Sequence, residues 1–475
     1  MSLKENFIYS VILTSANYVF PMLVFPYISR VLGVENVGIC NFIDSIVNYF
    51  VLFSMMGIAS LGIREIASCN NKQERNIVFS SLILLNAIFT FIAIVGLIVV
   101  TYTVKEVAQY KSLMYVGVLK LISNFLLLEW LYKGLEDFKY ITKRTLIVKC
   151  IYVLSIFVFV RNCEDYVVYY LLTTLMITIN SLINIVHSKQ LVIFSFYGVK
   201  IKKYFKPFIS LGYYMLLTTM YNSFNITFLG FIATKKDVGD FSTAAKLFAI
   251  IVALFTAVSN VIMPRASSLI NEGNKQAFQH LIYKSISGLL LFALPTLIFM
   301  FCYTEQIVSI LFGKEFSGMV VILRIIVPLL LIVGYEQILI MQVIMPNKID
   351  KGLTICSTAG AIIGISLNVL LVPSLTSIGS SIAWVASELT VLLLGQYIVT
   401  KKRLFKFPLR NGIKHILAYV PLLAVCWYFR RLVEHHFYYL IIFSLIIIAF
   451  SLLIEIFILK NEIVVEQYKK ILKHE

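Results

Sequence analysis

The residues that could do chemistry in this chain are polar side chains placed inside long apolar segments. Asp44 and Asn48 are four residues apart, which puts them on one face of a helix. Asn17 lies in the preceding apolar segment, and Asn222 and Asn225 lie in a segment about 200 residues further on. Two interpretations are open. The polar faces line a water-filled cavity, or they hydrogen-bond to one another and hold helices together.

Charged side chains also interrupt the apolar segments. An ionised side chain at the centre of a bilayer costs about 2.5–3.5 kcal/mol even on insertion scales, so each one needs a reason. Arg30 and Lys246 lie near the outer ends of their segments, and Arg64 and Arg265 lie near the inner ends. Anchoring of a helix end at the headgroups explains the last two at least as well as ligand binding.

Acidic residues form a second group. Glu336 and Glu388 lie deep in apolar segments, where they are candidates for ion coupling, although neutral structural roles explain them equally well. Glu129 and Glu455 lie close enough to the inner surface for water to reach them.

The elements that carry these residues are membrane helices. Of the 475 residues, 60% are hydrophobic and only 14% are charged, with a mean hydropathy of +0.89, which is more apolar surface than a soluble protein can bury. The apolar runs are about 20 residues long, the length of a membrane-crossing helix, and they are continuous where barrel strands would alternate. The sequence therefore predicts an all-α polytopic membrane protein.

We predict about fourteen spans. Their ranges are 7–29, 37–61, 77–103, 112–132, 145–160, 166–186, 207–232, 243–263, 281–303, 319–343, 353–372, 377–399, 411–429 and 436–459. The fifth is the shortest, and Lys120 and Lys149 are charges inside spans four and five.

The distribution of Lys and Arg predicts the orientation. Predicted inside segments hold about three times as many of them as the outside loops, which places both termini in the cytoplasm. The same bias explains the net charge of +17 without any nucleic-acid partner. The first span lacks a small-residue cleavage motif, so we expect it to be retained.

A weak internal repeat organises the spans. At an offset of 201 residues, Val37-Gly38 falls on Val238-Gly239 and Arg64 falls on Arg265. Such an offset is typical of a transporter built from two copies of one helical bundle. We predict two pseudo-symmetric six-helix lobes, a linker and two extra helices, with the bounds 1–190 (first lobe), 191–206 (basic cytoplasmic linker), 207–400 (second lobe) and 401–475 (two extra helices and cytoplasmic tail).

Other site classes find little support in the sequence. The seven Cys are scattered without a CxxC, and no HxxxH or GxxxxGK[ST] occurs, so we expect no metal, no cofactor and no built-in ATPase. All connections are short, which leaves no room for the large outer domain that an enzyme acting on lipid-linked sugars would carry. We therefore predict a protein that is not an enzyme.

Three motifs resemble a known family. They are PYISRVLGVENVG at 26–38, GIREIA at 62–67 and EWLYKGLEDFKY at 129–140. The sequence resembles the bacterial polysaccharide repeat-unit flippases of the Wzx type, which serve O-antigen or capsule synthesis. These belong to the multidrug/oligosaccharidyl-lipid/polysaccharide exporter superfamily.

The resemblance implies a fold and a function. It implies a V-shaped pair of six-helix lobes plus two C-terminal helices, in the bacterial cytoplasmic membrane. Such proteins move an undecaprenyl-diphosphate-linked oligosaccharide from the cytoplasmic to the periplasmic leaflet by alternating access. Polysaccharide polymerase and chain-length proteins are further candidate partners.

The resemblance also implies roles for the residues above. A cationic cavity would bind the diphosphate, with Arg30, Arg64, Lys246 and Arg265 as the candidates on the matching helices. Sugar hydroxyls would bond to amides, and the candidates are Asn17, Asn48, Asn222 and Asn225. Asp44 would either pair with a basic residue such as Lys246 or respond to charge on the repeat unit.

The alternative is a cation-coupled multidrug antiporter of the same superfamily. Those proteins commonly have twelve spans and lack the GLEDFKY-like loop. The two final predicted spans therefore favour the flippase.

Overall fold

A computed structural model describes the backbone of residues 3–430 and 437–465. It describes the side chains in these ranges except those of residues 3, 4, 6, 7, 214–222, 350 and 437. The described residues are helical, with no strand among them, and they pack into two compact units, Met1–Gly239 and Asp240–Glu475. The predicted all-α polytopic membrane architecture is confirmed.

The first unit is built from nine helices and the start of a tenth. Their bounds are α1 Leu3–Met55, α2 Ile58–Ala67, α3 Lys72–Thr103, α4 Lys105–Ala108, α5 Lys111–Leu126, α6 Glu129–Gly134, α7 Phe138–Phe159, α8 Tyr166–Leu191, α9 Ile201–Ile232 and α10 Lys235–Asn271. Helix α1 contains the first predicted span and most of the second, and Gly33 separates them with a backbone φ of 75°, in the left-handed region that glycine adopts without strain. Helix α1 packs against α3, α5, α7 and α9, so it is the central element of this unit.

The first unit also contains an unusually close helix crossing. A Cβ atom on Gly38 of α1 would lie 1.9 Å from the backbone oxygen of Lys235, and one on Gly239 of α10 would lie 2.0 Å from that of Val34. Glycine at both positions lets the two backbones touch, as small residues commonly do between membrane helices.

The second unit continues α10 and adds seven helices. Their bounds are α11 Lys275–Cys302, α12 Thr304–Leu311, α13 Met319–Ile326, α14 Leu329–Gln337, α15 Asp350–Lys401, α16 Leu409–Phe429 and α17 Phe437–Leu453. Helix α15 contains two predicted spans, separated at Thr376, where φ is 46°. Segments of π-helix follow α14 at Ile338–Ile344 and α17 at Ile454–Ile458.

The part of the chain that the structure describes has fewer long apolar helices than the number of predicted spans, in part because two predicted spans can fall on one long helix. Within the described residues, nine helices are long and apolar enough to cross a membrane, or ten if the bent pair Lys314–Ile326 and Leu329–Ile344 forms one span. Two of these long helices, Ile8–Ala67 and Lys351–Lys401, each contain two predicted spans. The count of fourteen and the lobe and linker boundaries stay predictions.

Candidate substrate site

The polar stripe predicted on α1 is part of a network within the first unit. The Nζ of Lys120 on α5 lies 2.5 Å from Asp44 Oδ1 and donates to Asn48 Oδ1 at 3.0 Å. Asn48 Nδ2 donates to Asp44 Oδ2 at 3.0 Å, and the hydroxyl of Tyr170 on α8 donates to Asp44 Oδ1 at 2.9 Å. The carboxylate thus accepts hydrogen bonds from three helices.

The local sequence explains this arrangement. Asp44 and Asn48 are one turn apart, so they point the same way from α1, and α5 packs against both α1 and α8. The Asp44 side chain keeps 32% exposure and that of Lys120 keeps 15%. The pair is therefore neutralised internally, yet polar ligand groups can still reach the carboxylate.

Asn17 belongs to a second polar contact in the first unit. The Nζ of Lys149 on α7 donates to Asn17 Oδ1 at 2.6 Å and to the carbonyl oxygen of Ala16 at 3.1 Å. Lys149 is buried, with 8% exposure, and the ring of Phe20 lies 5.8 Å from its Nζ. In the part of the chain that the structure describes, no carboxylate lies within 4.0 Å of this ammonium group. Its direct hydrogen-bond partners are neutral oxygens, and the carboxylate that acts on its charge, Glu129, lies further away.

The predicted basic residues have different surroundings. Arg64 and Arg265 are 61% and 63% exposed at the side chain, and each has an acidic neighbour in its own unit, Glu65 at 3.1 Å and Glu272 at 3.9 Å. Arg30 is exposed. The roles proposed for these residues stay predictions.

The remaining predicted site residues lie on α9 and α10. Lys246 on α10 is half-buried and Asn225 on α9 is buried. Thr227, also on α9, donates to Ser45 Oγ on α1 at 2.8 Å, so α9 contacts α1 at this level. The side chain of Asn222 lies outside the described residues.

The two predicted coupling residues of the second unit form a pair. Glu336 on α14 and Glu388 on α15 lie close enough for their carboxyl groups to interact electrostatically. Trp384 Nε1 donates to Glu388 Oε1 at 3.0 Å, while Glu336 Oε2 is buried without a hydrogen-bond partner. The sequence indicated two deep carboxyl groups but gave no sign that they lie close together.

One expectation about the acidic residues is wrong. Glu455 is not reached by water, because it is fully buried between the last two long helices. Its carboxylate accepts from Tyr419 at 3.0 Å and from Asn461 at 2.8 Å, and His415 Nε2 lies 3.9 Å away. The π-helical turn that carries Glu455 points its side chain inward, a turn geometry that single-sequence periodicity does not reveal.

The second and third sequence motifs pack against each other. Trp130 of α6 is buried against Gly62 of α2, where a Cβ would lie 2.5 Å from the indole Cε3, and Gly134 abuts Ile66 in the same way at 2.9 Å. Glu129 bridges to Lys133 at 2.9 Å and to Arg144 at 3.6 Å. These motifs build one tightly packed corner of the first unit.

Comparisons with known proteins decide the family. The family described as "Polysaccharide biosynthesis protein" matches residues 3–270, more than half of the chain. The chain belongs to the polysaccharide biosynthesis protein family. The resemblance to Wzx-type flippases is thereby confirmed, and the family members are transporters, not enzymes.

Sequence relatives of this chain are named as transport proteins. The chain is 25% identical over 414 residues to a protein of Escherichia coli (strain K12) named "Putative O-antigen transporter", an alignment that covers 85% of this chain and 98% of the relative. A protein of Haloferax volcanii named as a probable low-salt glycan biosynthesis flippase is 24% identical over 168 residues, which is 34% of each chain.

Solved structures show the fold of this family member. The inward closed conformation of the lipid II flippase MurJ matches with a TM-score of 0.78 at 15% identity, covering 98% of this chain and 99% of that one. An inward-facing multidrug resistance transporter of the MATE family matches with a TM-score of 0.61 at 14% identity, covering 81% and 94%.

Proposed function

We propose that this chain is a flippase for undecaprenyl-diphosphate-linked oligosaccharide repeat units. It moves them from the inner to the outer leaflet of the bacterial cytoplasmic membrane by alternating access, with both of its termini in the cytoplasm. The observation that carries the proposal is the alignment over 98% of the E. coli protein named as an O-antigen transporter. Polysaccharide polymerase and chain-length proteins are the partners that we propose downstream.

The buried lysine of the first unit is suited to the diphosphate. A membrane-buried cation held only by neutral oxygens gains most from a ligand that brings negative charge, and charge-assisted hydrogen bonds to phosphate are strong. We assign Lys149 and Asn17 to head-group binding, and the roles of Arg30, Arg64, Lys246 and Arg265 stay predictions. Because Lys149 is buried against α1, binding requires α1 to move relative to α7 during the cycle.

The Asp44 network is suited to sugar hydroxyls. Asp44, Asn48, Lys120 and Tyr170 present acceptors and donors together, and the ion pair carries no net charge. A hydroxyl-rich ligand can exchange hydrogen bonds with such a group without leaving a charge unpaired. A role in binding the repeat unit follows from this chemistry.

The carboxyl pair of the second unit is suited to proton coupling. Glu336 and Glu388 are close enough to interact, and Glu336 Oε2 is buried without a hydrogen-bond partner. Gain or loss of one proton changes the charge of such a pair by one. We assign the coupling of transport to a proton gradient to these two residues.

The experiment that tests the function uses cells lacking this gene. Lipid extracts are analysed by mass spectrometry for undecaprenyl-diphosphate oligosaccharides, and surface polysaccharide is measured in parallel. We expect complete repeat units to accumulate and surface polysaccharide to disappear, with both effects reversed by the wild-type gene. Unchanged lipid intermediates together with increased sensitivity to cationic drugs would overturn the proposal in favour of the antiporter.

A further inference from the structure

The loop between α8 and α9 exposes a group of aromatic side chains. Phe196 is 75% exposed and Tyr197 is 86% exposed, and Phe194 beside them is 41% exposed. Phe194 and Phe196 contact each other edge to face, with ring centroids 5.0 Å apart. Adjacent exposed aromatic rings usually mark a surface that contacts something else.

The backbone of this loop is fixed in place. The N–H of Ile193 donates to Asn76 Oδ1 at 2.9 Å, that of Ser195 to Ser80 Oγ at 3.0 Å, and that of Lys200 to Ser81 Oγ at 2.9 Å. All three acceptors lie in the first three turns of α3. The rings therefore project from an anchored backbone.

The anchoring also fixes the level of the loop relative to the membrane. The apolar run of α3 begins at residue 77, so the acceptor residues mark the point where α3 enters the bilayer. The loop backbone lies against that point, and aromatic residues are enriched at this membrane–water boundary.

The charged side chains in and around this loop are all basic. Residues 187–206 contain five lysines and no acidic residue. Lys200, Lys202 and Lys206 are exposed, and among the described residues none of them has a carboxylate within 4.0 Å. Clusters of lysine close to the inner membrane surface attract anionic lipids.

We propose that residues 192–206 form a binding site for anionic phospholipids of the inner leaflet. Phe194, Phe196 and Tyr197 enter the headgroup region, and Lys200, Lys202 and Lys206 contact the lipid phosphates. The site fixes the depth at which α9 enters the membrane, because α9 begins at Ile201, directly after the loop. The proposal rests on the predicted inner location of this loop, and it is independent of the transported molecule.

A fluorescent reporter at the loop tests the proposal. The variant Tyr197→Trp is reconstituted into vesicles that contain brominated phosphatidylglycerol or brominated phosphatidylcholine at equal mole fraction. The wild-type signal from Trp130, Trp384 and Trp427 is subtracted. We expect the anionic brominated lipid to quench the added emission at least about twofold more strongly than the zwitterionic one.

Two further variants make the result specific. Tyr213→Trp on α9 is the matched control, since this exposed position lies within a predicted span and both lipids should quench it equally. In the Tyr197→Trp variant, replacing Lys200, Lys202 and Lys206 together by Gln should abolish the stronger quenching by the anionic lipid. The proposal is overturned if the two lipids quench the tryptophan at position 197 equally. It is also overturned if neither lipid quenches it and aqueous acrylamide has full access to it. The second result would indicate that the loop faces a soluble partner or bare solvent.

Discussion

Gly38 and Gly239 meet backbone to backbone. A Cβ atom on Gly38 would lie 2.9 Å from the amide nitrogen of Gly239 and 1.9 Å from the oxygen of Lys235, so the crossing of α1 and α10 has no room for a side chain. The two glycines are separated by 201 residues, the offset of the internal repeat. Positions that match in the repeat therefore touch each other within the first unit.

The crossing predicts a strong effect of small side chains. Gly38→Ala and Gly239→Ala should each destabilise the protein by about 1–3 kcal/mol or more, because a backbone contact cannot yield as a side chain can. Thermal unfolding of the purified protein in detergent measures the change. Gly395→Ala is the control, since its new Cβ would meet nothing closer than 3.9 Å. Wild-type stability in both crossing variants would show that the helices do not approach this closely.

The sequence predicted the elements better than their junctions. The length of the apolar runs predicted the helices, because hydropathy is a local property. The 201-residue offset identified both glycines, because residue type is also a local property. The merging of spans at Gly33 and Thr376 depends on how the flanking helices align in space, which a single sequence does not record. The π-helical turns before Met345 and at Glu455 depend on packing in the same way.

The ion pair between Asp44 and Lys120 predicts non-additive effects. Lys120→Met and Asp44→Asn should each destabilise the first unit, since either change leaves the partner without its counterpart. The cost is below the roughly 3–5 kcal/mol of a fully buried pair, because Asp44 is partly exposed. The double variant should recover part of the loss in a thermal-unfolding cycle.

The exposed pair of Arg64 and Glu65 is the control for this cycle. Arg64→Gln should change stability by less than about 1 kcal/mol, as expected for a surface pair. Strict additivity at Asp44 and Lys120 would mean that the two side chains do not interact in solution.

The neutral hydrogen-bond partners of Lys149 predict opposite effects on stability and transport. Asn17→Asp places a carboxylate beside the ammonium group, so the protein should become more stable while transport falls by about tenfold or more. Lys149→Met should lose transport as well, and Lys149→Arg should keep part of it. Complementation of the deletion strain and thermal unfolding give the two readouts. Normal transport by the Asn17→Asp protein would remove Lys149 from the head-group site.

The carboxyl pair predicts a loss of coupling without a loss of fold. Glu388→Gln keeps an acceptor for Trp384, so the protein should fold normally. Its transport should no longer respond to an imposed pH gradient. Flipping rates in vesicles with and without the gradient measure this. The control is Glu305→Gln, at an exposed carboxylate paired with Arg324, and it should retain the wild-type response to the pH gradient. If Glu388→Gln also retains that response, coupling is carried by other residues.

The packed corner of the second and third motifs predicts a structural role. Trp130→Ala should destabilise the protein by about 3–5 kcal/mol, because it empties a buried site against Gly62. Trp427→Ala, at a half-exposed position, should cost less. Protein levels in the membrane and thermal unfolding measure both variants. Loss of transport with unchanged stability in Trp130→Ala would instead place this corner in the transport machinery.

The sequence predicted only those parts of the site that lie on one helix. The spacing of Asp44 and Asn48 revealed one polar face, but Lys120 and Tyr170 come from other helices, and their meeting depends on helix rotation. Lys149 was visible as a charge in the predicted fifth span. Helix α7 is longer than that span, and the contact with Asn17 joins residues 132 positions apart. The proximity of Glu336 and Glu388 likewise joins distant segments.

Transport by the purified protein tests the central proposal most directly. Vesicles containing the protein and undecaprenyl-diphosphate-linked oligosaccharide are treated with a membrane-impermeant glycosidase, and the cleaved fraction is followed over time. We predict that cleavage proceeds beyond the outer-leaflet fraction in wild-type vesicles and stops at that fraction in protein-free and Lys149→Met vesicles. Cleavage that stops at the outer-leaflet fraction with the wild-type protein as well would contradict the flippase.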